Sequence, residues 1–229
     1  MTAAVKEEVA LGCRVLGVEG QSDLVWGHVS VRDDDGRGAW MKPAGLGFEE
    51  VRADHVLLVS SDGEVVEGEG RRHSEYPIHT EIFAARADVR AVVHTHGAHT
   101  VAFAALGVPL RPVSHEATLF VPPDVARFTQ TGDLILTPAL GRAVASTLGD
   151  RNAVILVNHG LVTAAADVGT AVMTALILER ACRTQLLAMA AGELRHWSGD
   201  EEARSKREHC YNTDLIKSAW DYLVRKVPA

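Results

Sequence analysis

The run Val92-Val93-His94-Thr95-His96-Gly97, "VVHTHG", closes an apolar stretch with two imidazoles one residue apart. Side chains alternate along a strand, so His94 and His96 share one face and Thr95 points to the other. Two imidazoles in that relation can reach one metal ion at about 2.0–2.1 Å. A second apolar stretch, "NAVILVNHG" over 152–160, ends in a His-Gly pair of its own at His159. Strand ends are where α/β proteins assemble sites, and a glycine lets backbone or ligand come close. Three histidines drawn from two strand ends leave a coordination position open, the pattern of a catalytic rather than a structural metal site. On spacing alone the plain alternative stays open: a hydrogen-bonded histidine at each strand end.

Outward from that stretch, helical and strand patterns interleave. "VRAVVHTH" reads as a strand. Ser74 precedes "EYPIHTEIFAARA", where its hydroxyl can cap a helix that tolerates Pro77 in its first turn. Residues 3–17 read as an amphipathic helix with Val5, Val9, Cys13 and Leu16 on one stripe. "VSVRDDDGRGAWMK" and "VLLVSSDGEVV" each alternate around an Asp-Gly and read as hairpins. "HTVAFAALG" and "GRAVASTLG" are expected as short helices, "DLILT" and "NAVILVNHG" as strands. A long helix is expected from about 167 to 191, ending at Gly192, with a helical tail over about 200–229. No repeat or linker divides the chain, which predicts one α/β domain over 1–229.

Composition narrows the function. A formal net charge of −7 with no basic stripe argues against nucleic acid and anionic membranes as partners. The most apolar helical stretch is interrupted by Glu179, Arg180 and Arg183, so no membrane span is expected. The first residues, "MTAAVKEEVA", lack the pattern of a signal peptide. Cys13, Cys182 and Cys210 are scattered and odd in number, against a disulfide framework or a cysteine metal site, and a cytoplasmic setting is the default.

The stretch "HSEYPIHTEIFAARADVRAVVHTHGAHTVAFA", followed about sixty residues later by "AVILVNHGLVTAAADVGTA", resembles the class II aldolase/adducin family. The match runs from roughly residue 5 to residue 192 and joins a Ser-Glu pair, a His-x-His and an Asn-His-Gly. The resemblance implies a three-layer α/β/α fold around a central mixed, mostly antiparallel sheet. It also implies one divalent metal ion per chain, zinc by preference and manganese, cobalt or iron as alternatives, held by His94, His96 and His159. Glu75 takes the acid/base role by the same resemblance, and ligates the metal when substrate is absent. Without the resemblance, Glu75 reads as an acid favoured by the helix dipole.

Sugar-phosphate enzymes of the family clasp phosphate with small polar groups in three segments. Here those segments read Gly27-His28-Val29-Ser30, Ala44-Gly45 and His73-Ser74, and each has lost a small polar side chain. Arg71, just upstream, is either a solvated cation or a planar donor for a carboxylate. In "PVSHEATLF", His115 and Glu116 fall where relatives place a varied catalytic residue. Some aromatic-acid decarboxylases of the family, such as those acting on dihydroxyphthalate, look similar in carrying His-Glu-Ala there.

The resulting expectation is a metal-dependent carbon–carbon lyase acting on a small carboxylate, with decarboxylation of a hydroxylated aromatic acid first. An aldolase cleaving a hydroxy-keto acid or a sugar phosphate is the alternative. An adducin-like binding protein without chemistry is less favoured, because all three histidines and Glu75 are retained. Substrate contacts are expected from His28, Ser30, Gly45, Arg71, His73, Ser74 and Tyr211. The resemblance further implies a homo-oligomer, a tetramer, with His209 or Tyr211 of the tail reaching a neighbouring site.

Overall fold

The computed structural model describes residues 2–228. The strands are β1 (His28–Arg32), β2 (Ala39–Met41), β3 (Leu57–Val59), β4 (Val65–Glu67), β5 (Ala91–Thr95), β6 (Ala126–Phe128), β7 (Ala153–Leu156) and β8 (Gly160–Ala165). The helices are α1 (Thr2–Val18), α2 (Tyr76–Ala85), α3 (Ala98–Ala105), α4 (Pro138–Leu148), α5 (Val168–Ala191), α6 (Asp200–Cys210) and α7 (Thr213–Lys226). The strands form one sheet in the order β4-β3-β2-β1-β5-β8-β7-β6. Only the β6–β7 pair is parallel, so the sheet is mixed and mostly antiparallel.

Period-two alternation sorts each central strand onto two cores. Val29, Val31, Val93 and Leu161 pack with α1, α5 and α7 on one face. Val92, Val154 and Val162 pack with Ile78 and Ile82 of α2 and Val144 and Leu148 of α4 on the other. Helices thus cover both faces, which explains why β5 is buried along its whole length. The alternation carries His28 and Ser30 of β1, and His94 of β5, to the α2 side. The two hairpins, the long helix and the short helices α3 and α4 lie where the sequence pattern puts them.

Several elements differ from the sequence pattern. "DLILT" is not a strand. The Ile135 amide donates to the Glu75 side chain instead of to a ladder, while Leu134 and Leu136 stay exposed. "NAVILVNHG" is not one strand either. β7 stops at Leu156, Asn158 takes a left-handed φ of 61°, and the chain doubles back into β8. His159 therefore sits on a hairpin turn. Ser74 does not cap α2; Glu75 occupies that position without a capping bond of its own. The tail is two helices, broken at Tyr211 and Asn212, and α7 lays Leu223 into the α5 core with Trp220 over Gly169.

Candidate metal centre

β5 lies at the middle of the sheet between β1 and β8, and the three elements converge at its C-terminal end. His94 lies across the ladder from His28 on one side and Val162 on the other. The β7–β8 turn brings His159 against the same end. A Cβ on Gly160 would lie 2.5 Å from the Thr95 carbonyl and 2.8 Å from the His96 ring, so only glycine permits this approach. Glu75 enters from the start of α2. One ligand atom from each of Glu75, His94, His96 and His159 falls within 4.8 Å of all the others.

The hydrogen bonds orient this cluster. His94 Nδ1–H donates to Leu161 O at 2.8 Å, and His96 Nδ1–H donates to the Asp23 carboxylate at 2.9 Å. A neutral ring that donates from Nδ1 keeps its lone pair on Nε2. The two Nε2 atoms nevertheless face each other at 3.0 Å, a contact that two lone pairs repel unless a cation lies between them. Both nitrogens of His159 are buried without a partner, and His159 Nε2 stands 3.6 Å from Glu75, longer than a hydrogen bond. Unpaired buried nitrogens are costly, and convergent ones fit a metal ion. Asp23, holding His96 from behind, is the carboxylate such a ligand usually has.

Burial sets the charge states. It drives His94 well below the ordinary imidazole value and lowers His96, so both are neutral, the form that binds metals. Burial alone would raise Glu75, but the adjacent His159 ring and the Ile135 amide, which donates to its Oε1 at 2.7 Å, outweigh it and hold the carboxyl at about 2. Behind the cluster, burial pushes His73 and His79 down to about 3 and Lys42 down to about 8.

The cluster opens into a cleft of about 710 Å³. His28, His73 and Ser74 line it, and Ser30 lies buried beneath His28. Gly45 and Arg71 are outside its lining; both are exposed. Trp26, Val101, Ala102 and Leu134 add an apolar wall. Glu116 and Tyr211 line a different cavity of about 210 Å³ between α5 and α7. His115 lies beside Cys210, with Nδ1 3.3 Å from the sulfur. His209 is exposed. Asp23, Trp26, Lys42 and His79 were not legible as site residues. Trp26, directly before Gly27-His28, is the one whose position could have flagged it.

The α3 wall is anchored by a group that the sequence pattern hid. Glu179 of α5 accepts from the His99 amide (2.9 Å), His99 Nδ1 (2.7 Å), the Thr100 amide (2.9 Å) and Thr100 Oγ1 (2.7 Å). Its carboxylate thereby serves the open N–H groups at the start of α3. A Cβ on Gly97 would lie 2.3 Å from Glu179 Oε2, which is why the His-x-His is followed by glycine.

A mixed sheet between two helix layers, with three imidazoles and a carboxylate at the end of its central strand, defines an α/β protein of the class II aldolase type. The chain belongs to the class II aldolase and adducin family, whose N-terminal domain description matches residues 7–186. It is 32% identical over 194 residues to the meiotically up-regulated gene 14 protein of Schizosaccharomyces pombe, covering 82% of this chain and 75% of that one. It is 32% identical over 203 residues to the 3,4-dihydroxyphthalate decarboxylase of Arthrobacter keyseri, covering 83% and 81%. Among solved structures it superposes on the L-fuculose 1-phosphate aldolase of Glaciozyma antarctica with a TM-score of 0.86 at 30% identity, covering 98% and 88%. The family relatives thus include both decarboxylases and aldolases. No helix among the described residues is long and apolar enough to cross a membrane.

Proposed function

We propose that the protein is a divalent-metal-dependent carbon–carbon lyase that decarboxylates a hydroxylated aromatic acid of the dihydroxyphthalate kind. The observation that carries this reading is the make-up of the cleft. Its floor holds the His/Glu cluster beside His28 and His73, and Trp26, Val101, Ala102 and Leu134 give it an apolar wall, with Asp133 and Asn158 also in the lining. An apolar wall accepts an aryl ring and gives a sugar's hydroxyls no partner.

His94, His96 and His159, with Glu75, would hold one divalent ion, zinc by its donor set, with manganese, cobalt and iron compatible. Such an ion supplies Lewis acidity toward the substrate's adjacent oxygens and the electron pair left when carbon dioxide departs. Glu75, ionised in the free protein, takes the proton of a substrate hydroxyl and returns it to the ring carbon that has lost carbon dioxide. Ser74, at the mouth of the same cleft, donates to the substrate.

Aldol cleavage is the second reading, favoured by the likeness to a fuculose-phosphate aldolase. A panel of aryl acids, hydroxy-keto acids and sugar phosphates on metal-loaded protein, with carbon dioxide and aldehyde measured separately, decides between them. Carbon dioxide from an aryl acid is the expected result. Faster release of aldehyde from a sugar phosphate reverses the order, and a protein that takes up no stoichiometric metal and is inert to the whole panel points to the adducin-like binding role.

The chain is further proposed to act as one domain within a homotetramer. In this arrangement Glu116, His115 and Tyr211, which lie away from their own chain's cluster, serve a neighbour's site. The mass in solution tests it: an active monomer removes the shared-site part.

A further inference from the structure

On the α2 side of the sheet, two residues of β1 spaced i and i+2 reach one helix side chain. Ser30 Oγ lies 2.6 Å from His79 Nδ1, and His79 Nε2 lies 2.5 Å from His28 Nδ1. Ser30 and His79 are fully buried, and His28 is 1% exposed. A run of this kind has two proton arrangements. In one, Ser30 Oγ–H donates to His79 Nδ1, His79 Nε2–H donates to His28 Nδ1, and His28 carries its own hydrogen on Nε2. In the other, every donor is reversed. The buried Ser30 hydrogen then has no acceptor among the described residues. A buried donor left unmatched forfeits its hydration and gains nothing, so the first arrangement prevails. His28 lines the cleft, and Nε2 is its one ring nitrogen not committed to His79, so it presents an N–H there.

His73 is fixed from the other side. The Lys42 side chain is fully buried, and three acceptors surround its ammonium: Val25 O at 2.9 Å, His73 Nε2 at 3.2 Å and Pro43 O at 3.3 Å. Three hydrogens match three acceptors only if His73 Nε2 carries a lone pair, which puts the ring hydrogen on Nδ1. The opposite tautomer would donate to Pro43 O at 3.1 Å but would strip an acceptor from a buried cation, the larger loss. The His28 and His73 rings are 4.5 Å apart, and His28 is 4.9 Å from His94.

We infer that His28 Nε2–H and His73 Nδ1–H form a paired donor that takes the substrate's carboxylate beside the metal ligands, held in these tautomers by the Ser30–His79 pair and by Lys42. Two adjacent N–H groups match the two oxygens of one carboxylate, and the buried ammonium behind them adds a fixed positive field. Ser30, His79 and Lys42 are positioning residues; His28 and His73 touch the substrate. The inference rests on the proposed aryl-acid substrate and names the part of the cleft that recognises its anion.

The test compares 3,4-dihydroxybenzoate with catechol, which keeps the two hydroxyls and lacks the carboxylate. Both are titrated by calorimetry into zinc-loaded wild-type protein, Ser30→Ala and Lys42→Met. Wild type is expected to prefer the carboxylate-bearing probe at least about tenfold, the scale of a hydrogen bond to a charged group. Each variant is expected to lower that ratio several-fold with catechol affinity and zinc content unchanged. Nitrogen-15 spectra of the wild-type histidines give a second readout, with His28 expected as the Nε2–H tautomer and His73 as Nδ1–H. Equal binding of both probes by wild type, an unchanged ratio in both variants, or reversed tautomers overturns the inference. If a variant does not fold, the wild-type spectra decide. Carboxylate preference and the stated tautomers without carbon dioxide release from any aryl acid would remove the decarboxylase reading and leave the donor pair standing.

Discussion

His28 sits directly across the β1–β5 ladder from His94, with ring centroids 4.9 Å apart. Adjacent strands put opposed side chains on the same face, so ligand cluster and cleft floor are built from neighbouring strands. Disturbing the cluster is therefore expected to register in metal content before it registers in the fold.

About one divalent ion per chain is expected by elemental analysis. His96→Ala should fall well below stoichiometric, since each of the converging imidazoles supplies much of the site's affinity. Asp23→Asn, which weakens the hold on His96 Nδ1, should lower affinity by about 10–100-fold. Full occupancy in a His94→Ala, His96→Ala double variant would sink the assignment.

Glu75→Gln should fold, because the amide oxygen can still accept from the Ile135 N–H, and should keep its metal through the three imidazoles. Turnover should fall by about a hundredfold or more, the scale of a lost general acid–base group. If Glu116→Gln is inactive and Glu75→Gln is not, the roles belong the other way round.

Glu179→Gln replaces an acceptor oxygen by an NH₂ facing the donors at the start of α3. Each buried donor left without an acceptor costs about 1–3 kcal/mol. Urea unfolding should show a loss of about 2 kcal/mol or more, and Gly97→Ala should be comparably damaging. A midpoint within error of wild type for both would show that α3 is not held this way.

Acid should destabilise the fold, and His79 supplies one measurable share. Burial holds its imidazole at about 3, below the ordinary 6.5. Between those values the unfolded chain binds the extra proton, so stability falls as pH drops from 6.5 toward 3. One such group contributes a slope of up to about 1.4 kcal/mol per pH unit. His79→Gln should flatten the dependence of urea stability on pH between about 6 and 4 by roughly that amount; an identical slope would mean that His79 is already charged in the native state.

Much of the cluster was legible because its residues advertise themselves. His94 and His96 alternate on a strand, His159 precedes a glycine after an apolar run, and Glu75 starts a helix. β8, in "GLVTAAAD", was not legible, since the reversal before it is signalled only by Asn158, whose left-handed backbone turns the chain. β6 is three residues long, too short for a period to show. Glu179 looked like a charge interrupting an apolar helix; its partners lie about eighty residues away in sequence. Lys42 and His79 were not singled out, because their partners come from other segments of the chain.

The wall formed by α3 rides on a helix that carries none of the four clustered side chains and is pinned by a single carboxylate from α5. The clustered residues and the α3 wall are therefore separable modules in this scaffold. Val101 and Ala102 can be randomised in a library while Gly97, Glu179 and the four clustered residues stay fixed. Descendants of such a chain could diversify in what they accept without first losing the cluster.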